Sequence, residues 1–180
     1  MTTRGLMTGR FQPFHSGHLA LAKQILEECD ELVVVIGSAQ FNFIDKDPFT
    51  AGERALMIHE ALKEAEIDLS KCYVIPVSND ENNARWIAYL RSMAPAFDVL
   101  YSGNDFVRHL VLSQDSRLKV RSPKFAKKDD YNGTNIRLLM LTGGQWKRLV
   151  PPAVAKVIEQ VKGIERIRVL AGSDSNPQRW

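Results

Sequence analysis

The residues best suited to chemistry lie in one short stretch, residues 9–18, which reads GRFQPFHSGH. Arg10 supplies a permanent, forked charge that suits phosphate oxygens. His15 and His18 can hydrogen-bond phosphate when neutral and neutralise it when protonated. Gly9 tolerates unusual backbone angles and the close approach of a ligand. The stretch therefore predicts a loop that closes around phosphate groups.

A strand before this loop and a helix after it would position these side chains. Residues 6–8 are apolar and too few for a helix, which favours a short buried strand. After the loop, apolar residues recur at the spacing of a helix that begins near Ser16 or Gly17. His15 and His18 would then flank its first turn, where free N–H groups and the positive end of the helix dipole favour an anion.

Two other interpretations of the histidine pair stay open. His-x-x-His can hold a metal ion, although no third Cys, His or carboxylate stands at a suggestive spacing. Either imidazole could instead cap the helix or pack in the core. The stretch contains neither Gly-x-Gly-x-x-Gly nor Gly-x-x-x-x-Gly-Lys-Ser/Thr, which excludes a dehydrogenase fingerprint and a P-loop.

Alternating strand-like and helix-like stretches predict an α/β fold, a Rossmann-like parallel sheet wrapped by helices. A β-branched run at 32–36 is typical of an interior parallel strand. Further strands are expected at 72–75, 99–101 and 119–120. Helices are expected after a capping box at 50–53, at 84–93, at 105–112, and after Pro151 with an end at Gly163. A ligand would bind at the carboxyl ends of the strands.

Length and charge narrow the class of protein. The 180 residues fit one domain, predicted at 1–171, with a flexible tail at 172–180. Twenty-four basic and 21 acidic residues leave a net charge of +3, too little to indicate nucleic acid. Neither a signal segment nor a membrane-length apolar run is visible, and the two cysteines form no CxxC unit. We expect a cytoplasmic protein that binds neither nucleic acid nor membrane.

A second candidate anion site lies at residues 132–137, which read NGTNIR. Thr134 can cap a helix whose apolar side includes Ile136 and Met140. Arg137 would then lie in the first turn, beside unpaired backbone N–H groups. The alternative is an arginine on a solvated helix face. Between the two motifs, the basic residues from 117 to 128 could shield a triphosphate. The alternative is that they are solvated on the surface.

Residues 9–18 resemble the signature of archaeal-type nicotinamide-nucleotide adenylyltransferases, members of the nucleotidyltransferase superfamily with a His-x-Gly-His motif. Residues 132–137 are similar to that family's Ser/Thr-x-Thr-Glu-Ile-Arg motif, but Asn132 and Asn135 replace the hydroxyl residue and the glutamate. Asn83 and Trp86 match its Asn-x-x-Trp segment, in which asparagine meets the nicotinamide amide and tryptophan stacks on the ring. The likeness runs from residue 4 to about residue 170.

The resemblance implies an enzyme that joins nicotinamide mononucleotide (NMN) to ATP, giving NAD and pyrophosphate, with Mg²⁺ bridging the triphosphate. It also implies a homo-oligomer, commonly a hexamer in archaeal relatives. The catalytic residues it implies are Arg10, His15, His18 and Arg137. The nucleotide-binding positions are Gly9, Phe11, Gln12, Ser38, Gln40, Lys46, Asn83, Trp86, Ser102, Gly103, Asn104 and Thr134, and none is assigned as a metal ligand.

Two competing functions stay open. A superfamily member that uses a pantetheine phosphate or a cytidylyl donor would share the histidine pair, but it is not expected to contain Asn83 and Trp86. A non-catalytic sensor of NAD or ATP would be favoured by an appended regulatory segment, and none is visible. A pyrophosphate-release assay with several acceptors distinguishes the three.

Overall fold

The computed structural model describes residues 2–80, 82–124 and 131–172. Within these residues, five parallel strands form one sheet in the order β3-β2-β1-β4-β5. The strands are β1 (Arg4–Gly9), β2 (Glu31–Ile36), β3 (Cys72–Pro76), β4 (Val99–Tyr101) and β5 (Lys119–Arg121). Because β1 pairs with β2 on one side and β4 on the other, the strand order reverses at the centre, where α/β sheets open a crevice for ligands.

Helices cover both faces of the sheet. They are α1 (Ser16–Glu28), α2 (Ala51–Glu64), α3 (Trp86–Met93), α4 (Asp105–Gln114), α5 (Gly133–Thr142), α6 (Pro152–Gln160) and α7 (Gly163–Ala171). Helices α1, α2 and α5–α7 share one apolar cluster with the sheet, and α3 and α4 share the other. Strand β2 is buried along 32–36 because it is covered on both faces. The predicted Rossmann-like α/β fold is confirmed.

Most predicted elements lie within two residues of the observed ones, and two need correction. The helix expected at 84–93 begins as a 3₁₀ turn, Asn83–Arg85, before α3 starts at Trp86. Gly163 does not end a helix: α6 ends at Gln160, Lys162 has the left-handed backbone (φ 54°), and Gly163 begins α7. A Cβ on Gly163 would lie 2.6 Å from the Phe49 ring, so close packing requires this glycine.

Candidate active site

The two histidines of the predicted phosphate loop cap each other's backbone. His15 is the N-cap of α1, and its Nδ1 accepts the N–H of His18 at 3.3 Å. His18 Nδ1 accepts the N–H of His15 at 3.2 Å, and the rings stack with centroids 3.4 Å apart. Because each Nδ1 is an acceptor, each neutral ring has its proton on Nε2. The imidazoles therefore both cap the helix and keep an Nε2–H donor for a ligand.

Both rings are neutral at pH 7. Burial lowers the pKa of His15 to about 4, because the imidazolium form would lose its hydration. Burial also lowers the pKa of His18 well below its usual value, and a charge on His15 would lower it further. Phe11 contributes to this apolar environment with its ring 4.7 Å from that of His18, edge on. Of the two modes expected from the sequence, hydrogen bonding by a neutral ring is the one that these pKa values favour.

Arg10 and Arg137 supply the positive charge beside the histidines. The half-exposed Arg10 lies with Nη1 3.5 Å from Asp47 Oδ2. Arg137 donates from Nη1 to the Gln12 carbonyl oxygen at 2.9 Å, and from Nη2 to Thr134 Oγ1 at 3.4 Å. Burial lowers the pKa of Arg137, and the charge of Arg10 adds to that effect. The positive charges of Arg10 and Arg137 therefore lie close enough to influence each other, although 127 positions separate the two residues in sequence.

The start of α5 differs from the prediction. Thr134 is not its cap: Asn132 is the N-cap, and its Oδ1 accepts the Thr134 N–H at 2.9 Å. Asparagine caps helices as well as a hydroxyl residue does. Asn132 therefore preserves the N-terminal cap of α5, although the family motif has a hydroxyl residue at this position. A Cβ on Gly133 would lie 3.2 Å from the Gln12 carbonyl oxygen, which shows how closely α5 approaches the phosphate loop.

Two buried polar side chains position the loops. Gln12 pairs with the backbone of Phe49, donating to its oxygen at 2.8 Å and accepting from its nitrogen at 2.9 Å. Arg54 is fully buried, and the hydrogen bonds of its guanidinium to the described residues all go to backbone carbonyls. These belong to Arg10, Gly37, Ser38, Phe41 and Thr50. No role for Arg54 was predicted from the sequence, although its position four residues before Ile58, on the apolar side of α2, indicates burial.

A cavity of about 220 Å³ lies at the carboxyl ends of β1, β2 and β3. Half-buried Trp86 and exposed Asn83 line it, as does Asn79. Asn79 Oδ1 accepts from the nitrogen and the hydroxyl of Ser38, both at 3.1 Å, and Gln40 Oε1 accepts the Asn79 N–H at 3.0 Å. A larger hollow lies between α2 and α6, but its lining contains none of the predicted site residues.

The remaining predicted positions lie at the ends of β1, β2 and β4. Gly9 accepts the Gly37 N–H at 2.9 Å, and Lys46 is exposed on the loop after β2. After β4, Ser102 Oγ accepts the Asn104 N–H, and Asn104 caps α4. These segments lie at the same edge of the sheet, as expected for parallel strands.

Part of the basic stretch between residues 117 and 128 is held by an acidic side chain. Lys124 and Arg121 both pair with Glu28, and the Tyr101 hydroxyl also donates to it. These contacts lower the pKa of the Glu28 carboxyl to about 2. Lys127 and Lys128 lie outside the described residues. This pairing favours a structural role for Arg121 and Lys124.

The fold and this site define the class of the protein as a nucleotidyltransferase. A family model described as Cytidylyltransferase-like matches residues 6–139. The structure of a bifunctional NMN adenylyltransferase/ADP ribose pyrophosphatase from Francisella tularensis, complexed with AMP and a manganese ion, has the same fold. Its TM-score is 0.67 at 18% identity, over 98% of this chain and 58% of that one. Nicotinic acid mononucleotide adenylyltransferase of Plasmodium falciparum, complexed with NaAD, has a TM-score of 0.66 at 16% identity, over 92% and 98% of the two chains.

Sequence relatives narrow this class further. Nicotinamide-nucleotide adenylyltransferase of Caldivirga maquilingensis is 47% identical over 98% of this chain and 99% of its own length. The protein of that name from Pyrobaculum neutrophilum is 46% identical over the same shares. This chain belongs to the nicotinamide-nucleotide adenylyltransferase family, as its motifs indicated. In the part of the chain that the structure describes, no helix combines the length and apolar character needed to cross a membrane.

Proposed function

We propose that this chain transfers AMP from ATP to NMN, giving NAD and pyrophosphate. The observation that supports this most directly is the reciprocal capping of His15 and His18 beside two arginines. That arrangement provides neutral donors and permanent positive charges at the start of a helix, a combination suited to a polyphosphate.

The reaction is an in-line displacement at the α-phosphorus of ATP. A 5′-phosphate oxygen of NMN forms the new bond to that phosphorus, and the bond to the oxygen bridging the α- and β-phosphates breaks. Pyrophosphate leaves with the electron pair of the broken bond. Because the nucleophile is already an anion, no general base is needed, and catalysis depends on positioning and on charge stabilisation.

Each site residue has a role in this reaction. His18 stabilises the pentavalent centre through Nε2–H, and His15 donates to the neighbouring phosphate. Arg10 and Arg137 hold the β- and γ-phosphates, where fixed positive charge is needed, because the imidazoles are neutral. Trp86 stacks on the pyridinium, a cation that a tryptophan face attracts, and Asn83 meets its amide. Gln12 and Phe11 act through Phe49 and His18 respectively, as positioning residues.

Mg²⁺ enters as part of the MgATP substrate in this proposal. Among the described residues, no three His, Cys, Asp or Glu side chains cluster closely enough to hold a metal ion. The side chains of the site therefore fit an ion held by phosphate oxygens and water, the usual mode for Mg²⁺ at nucleotide sites.

In this proposal residues 1–171 act as one catalytic domain. The protein is a cytoplasmic homo-oligomer that binds nucleotides and not nucleic acid.

The test is pyrophosphate release with MgATP and four acceptors: NMN, nicotinic acid mononucleotide, phosphopantetheine and flavin mononucleotide. Release with the pyridine mononucleotides alone, together with appearance of the dinucleotide, is expected. Release only with another acceptor would contradict the roles of Asn83 and Trp86. Tight nucleotide binding without any release would identify a sensor instead.

A further inference from the structure

Asp47 is a buried carboxylate that none of the roles above uses. Its side chain is 5% exposed, and Oδ2 lies 3.5 Å from Arg10 Nη1. The other oxygen, Oδ1, is buried and has no hydrogen-bond partner among the described residues. A carboxylate oxygen can accept two hydrogen bonds, and leaving one without any in the interior is costly. A residue in this situation calls for a functional explanation.

The charge of Asp47 acts on all three arginines of the phosphate region. It opposes the effect of burial, which lowers the pKa of Arg54 and of Arg137. The described hydrogen bonds of Arg54 and Arg137 go to neutral oxygens, so they leave both positive charges uncompensated. Asp45 raises the pKa of Arg137 more than Asp47 does, but it acts from an exposed position, whereas Asp47 is buried. Asp47 is thus a buried counter-charge near the guanidiniums of Arg10, Arg54 and Arg137.

The contact between Arg10 and Asp47 is weak enough to be exchanged. At 3.5 Å the pair is longer than an ordinary charged hydrogen bond, and the Arg10 side chain is 47% exposed. A polyphosphate with several negative charges can therefore attract Arg10 away from Asp47. When pyrophosphate leaves, Arg10 can return to the carboxylate.

We propose that Asp47 is a positioning residue that holds Arg10 in the empty site and limits the affinity for pyrophosphate. By repelling the polyphosphate and competing for Arg10, it keeps product release fast. This inference rests on the proposed adenylyl transfer and adds a determinant of its final step.

The test replaces Asp47 by asparagine, which has the same shape and no charge. Pyrophosphate binding to wild-type and Asp47→Asn protein is measured by titration calorimetry, without turnover. Loss of one nearby negative charge is expected to tighten this binding about tenfold. In steady-state assays, KM for ATP and kcat are both expected to fall, because release of pyrophosphate becomes limiting. Unchanged or weaker pyrophosphate binding would overturn the proposal.

Matched measurements separate this role from a structural one. A merely structural Asp47 would, when replaced, weaken pyrophosphate and ATP binding together and lower the melting temperature. Asp47→Ser, also neutral, is a second variant with the same expected tightening should the asparagine variant fold poorly. Glu60→Gln removes one charge from the Glu60 side chain of α2, which is 37% exposed, and is expected to change pyrophosphate affinity less than about twofold. If wild-type protein shows no turnover, the proposed function fails, while the pyrophosphate comparison still decides the role of Asp47.

Discussion

Replacing His15 by asparagine is expected to remove much of the acid sensitivity of folding. In the unfolded chain His15 has the usual pKa of 6.5, and in the folded chain its pKa is about 4. Between these values the unfolded state binds a proton that the folded state does not. The contribution of neutral His15 to the free energy of unfolding is therefore fully present above pH 6.5. It decreases as the pH falls from 6.5 to about 4, and it is lost below about pH 4.

The size of the effect follows from the two pKa values. The difference between 6.5 and about 4 corresponds to about 3 kcal/mol of unfolding free energy. His15 is 7% exposed, so solvent screens this effect little. Asparagine is a suitable replacement because its side-chain oxygen can still cap α1 at the His18 N–H.

The measurement is urea denaturation of both proteins between pH 4 and pH 7. Wild-type protein is expected to lose about 3 kcal/mol more than His15→Asn over this range. His59→Asn, which changes an exposed histidine of α2, is the matched control and is expected to follow the wild-type curve. Parallel curves for wild type and His15→Asn would refute burial of a neutral His15.

Three further predictions concern the site and its support. His18→Ala should lower kcat about 100-fold and change ATP affinity less than about threefold, because its donor acts on the transition state; kinetics and calorimetry measure the two. Arg54→Met should lower the unfolding free energy by about 3 kcal/mol in denaturant melts, because several buried carbonyls lose their donor. Trp86→Ala should raise KM for NMN about tenfold, with Trp86→Phe in between, because the pyridinium loses its π face; steady-state kinetics separate this from KM for ATP.

Each of these has a control and a contradicting result. Unchanged turnover in His18→Ala would remove His18 from the mechanism. Arg148→Met changes an exposed arginine and should leave stability within about 0.5 kcal/mol, so equal losses in the two arginine variants would contradict the role of Arg54. Equal changes in KM for NMN and for ATP in Trp86→Ala would place Trp86 in general packing instead of the nicotinamide site.

Local patterns in the sequence determined much of the architecture. The β-branched run of β2 can be satisfied only by burial on both faces, so it predicts an interior parallel strand. The capping box of Thr50 and Glu53 closes within four residues and was predictable for that reason. The phosphate loop was recognisable because its arginine, glycines and histidines lie within ten consecutive positions.

Contacts between distant segments were decided by the tertiary structure. Arg137 reaches the Gln12 carbonyl across 125 positions, and Arg54 joins the loops after β1 and β2. The role of Gly163 was mispredicted because its contact with the Phe49 ring joins distant segments. The cap of α5 was mispredicted for a different reason, since Asn132 and Thr134 are two local candidates and Asn132 is the one that caps the helix. The pKa of His15 also depends on burial, which only packing creates. Short-range patterns specify elements, whereas desolvation and long-range hydrogen bonds arise when those elements pack together.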